Sequence, residues 1–160
     1  MIAFINQLFS RAEPALSEAG ASDAAAISAL HAASFRRGWS EQEVEGLLMD
    51  RSVLTHRAMS GARLAGFIMA RLAADEAEIL SVAVDSAWRG RGLARNLLHL
   101  HLRRLAGLGS RAVFLEVDEN NAPAIRLYDR AGFHEVSRRP NYYAHAGKPA
   151  AALVLRRDLG

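Results

Sequence analysis

The residues of this chain best suited to chemistry gather in Trp88-Arg89-Gly90-Arg91-Gly92-Leu93-Ala94-Arg95. The two glycines allow a tight backbone bend, and the leucines that follow mark the start of a helix. A helix start presents unpaired N–H groups beside the positive end of its dipole, a natural seat for phosphate. Arg89, Arg91 and Arg95 place positive charge there. A plain tight turn with solvated arginines fits the same residues, and the spacing alone leaves both readings open. Two nucleotide motifs fit poorly. A P-loop needs Gly-Lys-Ser/Thr, which the chain lacks. A dinucleotide-binding turn needs Gly or Ala where Arg95 stands, and that bulk would obstruct close helix–strand packing. Only Glu116, at the end of the next expected strand, suits the dinucleotide reading.

Composition narrows the chemistry further. The 160 residues can build one ordinary core but hardly two. With 51% hydrophobic and 23% charged residues, the chain is globular rather than disordered. No apolar run reaches about 18 residues, so no membrane span is expected. The absence of cysteine removes a disulfide framework, thiolate metal ligation and a cysteine nucleophile. The six histidines show neither HxxxH nor HExxH spacing, and no metal is expected. Nineteen of the 20 basic residues are arginine, and the net charge is only +3. Direct nucleic-acid binding would need that charge focused on one face. Carboxylates, hydroxyls, backbone amides and arginine are left to do the work.

The elements that must position these groups can be read from periodicity. Met1–Arg11 places Ile2, Ile5 and Phe9 on one helical stripe, which predicts an N-terminal helical extension (1–13) before a single domain (14–160). Pro14 opens an extended piece, Ala15–Glu18. Ser22 or Asp23 can cap a helix running to about Ser34. Ser40 and Glu43 have capping-box spacing for a second helix. Val53–Met59 and Leu64–Leu72 read as a hairpin around Ser60-Gly61, and Glu78–Val84 as a buried strand. Leu93, Leu97, Leu98, Leu102 and Leu105 stripe a long helix, with His99 and His101 expected toward solvent or a neighbour. Ala112–Val117 is a further buried strand. Asn121 and Pro123 open a helix through Tyr128 that ends at Gly132. Glu135–Arg138 and Ala152–Arg156 are expected as the last strands. The order predicts an α/β (α+β) fold, a mixed and mostly antiparallel sheet with one parallel pair inside, flanked by helices.

Arg89-x-x-Gly92-x-Ala94 between a β-run and a leucine-striped helix resembles the Gcn5-related N-acetyltransferase (GNAT) superfamily, whose signature is Gln/Arg-x-x-Gly-x-Gly/Ala. The resemblance runs from about Pro14 to the C-terminus. It implies the acyl-CoA N-acyltransferase fold, with acetyl-coenzyme A as co-substrate and no metal. The backbone from Arg89 through Gly90, Arg91, Gly92, Leu93 and Ala94 to Arg95 would hold the pyrophosphate. Val82, Ala83 and Val84 would pair with the pantetheine arm and point an amide at the thioester. Within the superfamily, Trp39-Ser40-Glu41, Asn120-Asn121-Ala122, Ala124-Ile125-Arg126-Leu127-Tyr128 and Arg138-Arg139-Pro140-Asn141-Tyr142-Tyr143 are similar to ribosomal-protein-alanine N-acetyltransferases. Pro140 and the N-terminal helix depart from that pattern.

The same resemblance implies roles for single residues. Glu116 matches the base that takes a proton from the amine, although by itself it also reads as a rim carboxylate or a partner for Arg126. Tyr128, twelve residues later, matches the acid that protonates the sulfur. On residue pattern alone it is an aromatic on an amphipathic helix. Asn121 would touch the coenzyme or only cap its helix, and Trp39 and Tyr142 would line the peptide groove. The expected acceptor is a protein N-terminus, with a small amine or lysine side chain as the alternative. A non-catalytic acetyl-CoA-binding module is the other alternative. A cytoplasmic monomer or homodimer completes the expectation.

Overall fold

The computed structural model describes residues 12–145 and 147–160. The expected helix Met1–Arg11 lies outside them. The described elements run β1 (Ala15–Glu18), a 3-10 turn (Ala21–Asp23), α1 (Ala24–Ser34), α2 (Glu41–Met49), β2 (Val53–Ser60), β3 (Arg63–Ala73), β4 (Glu76–Val84), a second 3-10 turn (Ser86–Trp88), α3 (Leu93–Gly107), β5 (Ala112–Asp118), α4 (Ala122–Arg130), β6 (His134–His145) and β7 (Lys148–Asp158).

The strands form one sheet in the order β1-β2-β3-β4-β5-β7-β6. Only β4 and β5 pair in parallel, as expected for strands joined by a crossover helix. Alternation along β3 builds a core on each face. Phe67 and Met69 pack with Ile27, Leu30 and Val44 of α1 and α2. Ile68 and Ala70 join Leu93, Leu97, Leu98, Leu102 and Leu105 of α3 on the other face. A strand buried on both faces must be apolar throughout, which is why Ala65–Ala70 carries no charge.

Two features of β4 shape the site. Its ladder with β5 runs only over Glu76↔Ala112, Ala77↔Val113 and Glu78↔Phe114, so the two strands part beyond that point. Its register with β3 passes from Met69↔Ser81 to Ala70↔Ile79, leaving Leu80 as a bulge that re-aims the residues after it.

Three expectations need correction. Asp23 precedes α1, but its side chain does not cap the helix; it accepts the Gly20 N–H at 2.9 Å and pairs with Arg57 of β2. The final hairpin is much longer than Glu135–Arg138 and Ala152–Arg156, reaching His134–His145 and Lys148–Asp158. Pro140 hides this in the sequence. It sits on the edge strand β6, where a missing N–H costs nothing, inside a register shift that also holds Asn141 at φ +59°. Finally, His101 does not face solvent. It is fully buried, with Nδ1 2.8 Å from Nδ1 of His56 on β2, whereas His99 is exposed.

Candidate active site

Where β4 and β5 part, the sheet opens into two adjoining grooves of about 870 and 730 Å³. The first runs past Val82, Ala83 and Val84 to the loop before α3, and the second lies against the outer half of β5. From Ile79 to Val84 the β4 edge facing β5 has no strand partner among the described residues. Its backbone groups can therefore pair with an extended ligand lying in the gap, as an added strand would. The carbonyl of Val84 is already engaged by Arg89 Nε at 3.2 Å.

The loop owes its shape to Gly90 and Gly92, at φ +73° and +79°. Gly92 caps α3 in the left-handed conformation and has no side chain to satisfy the first-turn N–H groups, which leaves them for an anion. Arg89, Gly90, Gly92, Leu93, Ala94 and Arg95 line the first groove. Arg91 does not; its guanidinium lies over the Trp88 ring at 5.3 Å. Arg126, weighed from the sequence only as a partner for Glu116, and Arg130, which the sequence reading missed, lie one turn apart on α4, line the same groove and add two cations. Their i, i+4 spacing was the available signal.

Tyr128 lines both grooves and stands where they meet. Asn121 fixes the start of its helix by accepting the Ala124 N–H at 3.2 Å, with Pro123 in the first turn. The Tyr128 ring packs edge-on against Phe133 at 5.5 Å and is only 7% exposed. Burial pushes its phenol up to about 12, so the hydroxyl keeps its proton throughout the neutral range.

Glu116 lines the second groove, on the face of β5 opposite Leu115 and Val117. Its partner is Arg139 of β6, with Nη2 at 2.7 Å from Oε1, and not Arg126 as considered from the sequence. Asp118 and Tyr143 share this groove. Tyr143 is pushed up by burial and by the neighbouring Glu116 carboxylate. Ser81 is a further residue the sequence reading passed over. It too lines the groove, and its buried Oγ has no hydrogen-bond partner among the described residues. Its signal was a lone hydroxyl inside an apolar strand. Trp39 and Tyr142 line neither groove. Trp39 stacks on His31 at 4.1 Å, while Tyr142 stands 53% exposed under the Arg139 guanidinium.

The profile of the acetyltransferase (GNAT) family matches residues 24–133. This chain belongs to the GNAT family. It is 35% identical over 117 residues to the [ribosomal protein bS18]-alanine N-acetyltransferase of Salmonella typhimurium, covering 73% of this chain and 78% of that one. The crystal structure of the ribosomal-protein-S18-alanine N-acetyltransferase from Escherichia coli superposes with a TM-score of 0.85 at 27% identity, over 91% of this chain and 94% of that one. Arabidopsis thaliana NAA60, solved in complex with acetyl-CoA, shares the fold with a TM-score of 0.78 at 21% identity, over 91% and 98% of the two chains. The GNAT chain is thus an N-acetyltransferase with a mixed seven-stranded sheet, and none of its described helices is long and apolar enough to cross a membrane.

Proposed function

We propose that this GNAT enzyme transfers acetyl from acetyl-CoA to the α-amine of a protein N-terminal alanine, with a ribosomal protein as the acceptor. The observation that carries the reading is the junction at Tyr128, where a groove lined by a glycine-capped helix start and four arginines meets one lined by the Glu116 carboxylate. The relatives named for bS18 alanine support the choice of acceptor.

The donor fits the first groove. Its pyrophosphate faces the N–H groups after Gly92, with Arg89, Arg95, Arg126 and Arg130 nearby, and its pantetheine arm lies along the free edge of Val82–Val84. A β4 N–H in that stretch donates to the oxyanion formed on attack, and one such donor contributes roughly 3 kcal/mol. The acceptor arrives as an ammonium, because an α-amine with pKa about 8 is mostly protonated at neutral pH. Glu116 exchanges Arg139 for that ammonium and removes a proton, directly or through water. The nitrogen then forms its bond to the acetyl carbon, the C–S bond breaks as Tyr128 donates its proton to the departing sulfur, and the acylated nitrogen gives up its second proton to water, from which the Tyr128 phenolate is reprotonated. A phenol at about 12 is a weak acid beside an ordinary thiol at about 8.5. The desolvation that raises Tyr128 also raises a thiolate expelled beside it, so the two stay close enough for transfer.

The acceptor class is tested with an alanine-first ribosomal peptide and a copy blocked at its α-amine but carrying a lysine. Intact-mass measurement after incubation with acetyl-CoA should show one acetyl group on the first peptide and none on the second. Acetylation of the blocked copy would support the lysine alternative instead.

A further inference from the structure

The end of α1 and the chain that follows it border both grooves: Ser34 and Phe35 line each of them, and Arg36 lines the second. This strap is fastened to α1 at three points. Gly38 lies so close to α1 that a Cβ there would stand 2.8 Å from Ala32, a separation real side chains do not adopt. The Trp39 N–H donates to Nδ1 of His31 at 3.0 Å. The Trp39 carbonyl accepts from Ser28 Oγ at 2.7 Å. Both backbone groups of one strap residue are therefore held by side chains one helical turn apart on α1. His31 adds ring contacts at both ends of the strap, stacked on Trp39 at 4.1 Å and tilted against Phe35 at 4.5 Å.

We infer that His31 is a positioning residue for acceptor binding, setting the Phe35–Arg36 wall of the second groove through its bond to Trp39. The inference rests on the acetyltransferase reading given above. His31 is buried beneath the strap and lines neither groove, so it acts only through the residues it holds. Accepting the Trp39 N–H requires an unprotonated Nδ1, which assigns the ring proton to Nε2. Burial lowers the imidazole from its ordinary range against the opposing pull of Glu43, which keeps that nitrogen free at neutral pH. This also explains Trp39. It contributes to the groove from behind, as the anchor of the strap, and not by touching the acceptor.

The test compares steady-state kinetics of His31→Phe, His31→Asn and Ser28→Ala on the alanine-first peptide with amide hydrogen exchange at Trp39. His31→Phe keeps an aromatic stack but offers no acceptor. Its acceptor KM should rise about tenfold, the equivalent of one net hydrogen bond of about 1.4 kcal/mol, with kcat nearly unchanged. The Trp39 amide should exchange faster. His31→Asn supplies Oδ1 near the position of Nδ1 and should restore much of both. Ser28→Ala removes the other half of the clamp without touching the ring, and should raise acceptor KM in the same direction. An acceptor KM unmoved in His31→Phe and Ser28→Ala, while the wild type is active, would overturn the inference and leave the acetyltransferase reading intact. A loss confined to melting temperature or kcat would likewise reduce His31 to a structural residue. A wild type that fails to acetylate the peptide would remove the acceptor and this inference together.

Discussion

Nη2 of Arg139 stands 2.7 Å from Oε1 of Glu116, so the carboxylate that lines the second groove is ion-paired to the edge strand before any acceptor arrives. An incoming ammonium must compete with that guanidinium. Arg139 is more than half exposed, and ion pairs of that kind contribute only about 0.2–1 kcal/mol. Arg139→Gln should therefore lower acceptor KM by up to about fivefold and weaken its dependence on salt. A rise in KM would mean that Arg139 binds the acceptor itself.

Glu116→Gln removes the proton acceptor while keeping the shape of the side chain. kcat/KM should fall most at about pH 6–7, where nearly all of the amine is protonated, and recover in part as pH rises past about 8. Rate–pH profiles of the two proteins check this. A loss equal at every pH would make Glu116 an orienting group rather than a base.

Gly92 adopts φ +79° at the cap of α3, and a β-branched residue is strained there even though no atom lies within 4 Å of its Cβ position. Gly92→Val should turn the first-turn amides away from the pyrophosphate. Acetyl-CoA raises the melting temperature of any protein that it binds only in the native state. That rise should be clear in the wild type and largely absent in Gly92→Val. An undiminished shift would place the pyrophosphate elsewhere.

The buried pair of His56 and His101 predicts an acid limit to stability. Burial lowers both imidazoles, His101 to about 3 with His56 adding to the effect. Below about pH 6.5 the unfolded chain binds protons that the native state refuses, so stability falls as pH falls. For His101 the loss reaches about 2 kcal/mol at pH 5. His101→Leu should flatten this acid slope in melting experiments. Parallel slopes in the two proteins would show that the pair stays neutral for another reason or does not control acid unfolding.

The fold was largely legible because its strands and long helix carry strong periodicity. The leucine stripe from Leu93 to Leu105 and the β-run up to Val84 stand in the structure close to where the sequence places them. The glycines at 90 and 92 were legible for a different reason: a left-handed backbone leaves its mark on residue type. What could not be read depends on contacts between distant segments. The early end of the β4–β5 ladder, which opens the site, is invisible in either strand taken alone. The Glu116 partner lies 23 residues away, beyond a helix, across a strand pairing that Pro140 disguises. His101 sits on a helix whose polar face was expected outward, yet its nitrogen meets His56, 45 residues earlier. Trp39 was marked only by the resemblance, and its bond to His31, made where the chain folds back onto α1, was marked by no spacing.

The most direct test of the account is the rate of acetyl transfer to the alanine-first peptide by Tyr128→Phe and wild type, with acetyl-CoA affinity and melting temperature taken on the same preparations. The substitution keeps the ring against Phe133 and removes only the hydroxyl of the tyrosine that lines both grooves. Positioned general acids contribute about 10²–10⁴-fold, so turnover should fall by that factor while affinity and melting temperature barely move. Turnover equal to that of the wild type would contradict the placement of the chemistry at Tyr128, and with it the central claim that the donor and acceptor grooves meet there.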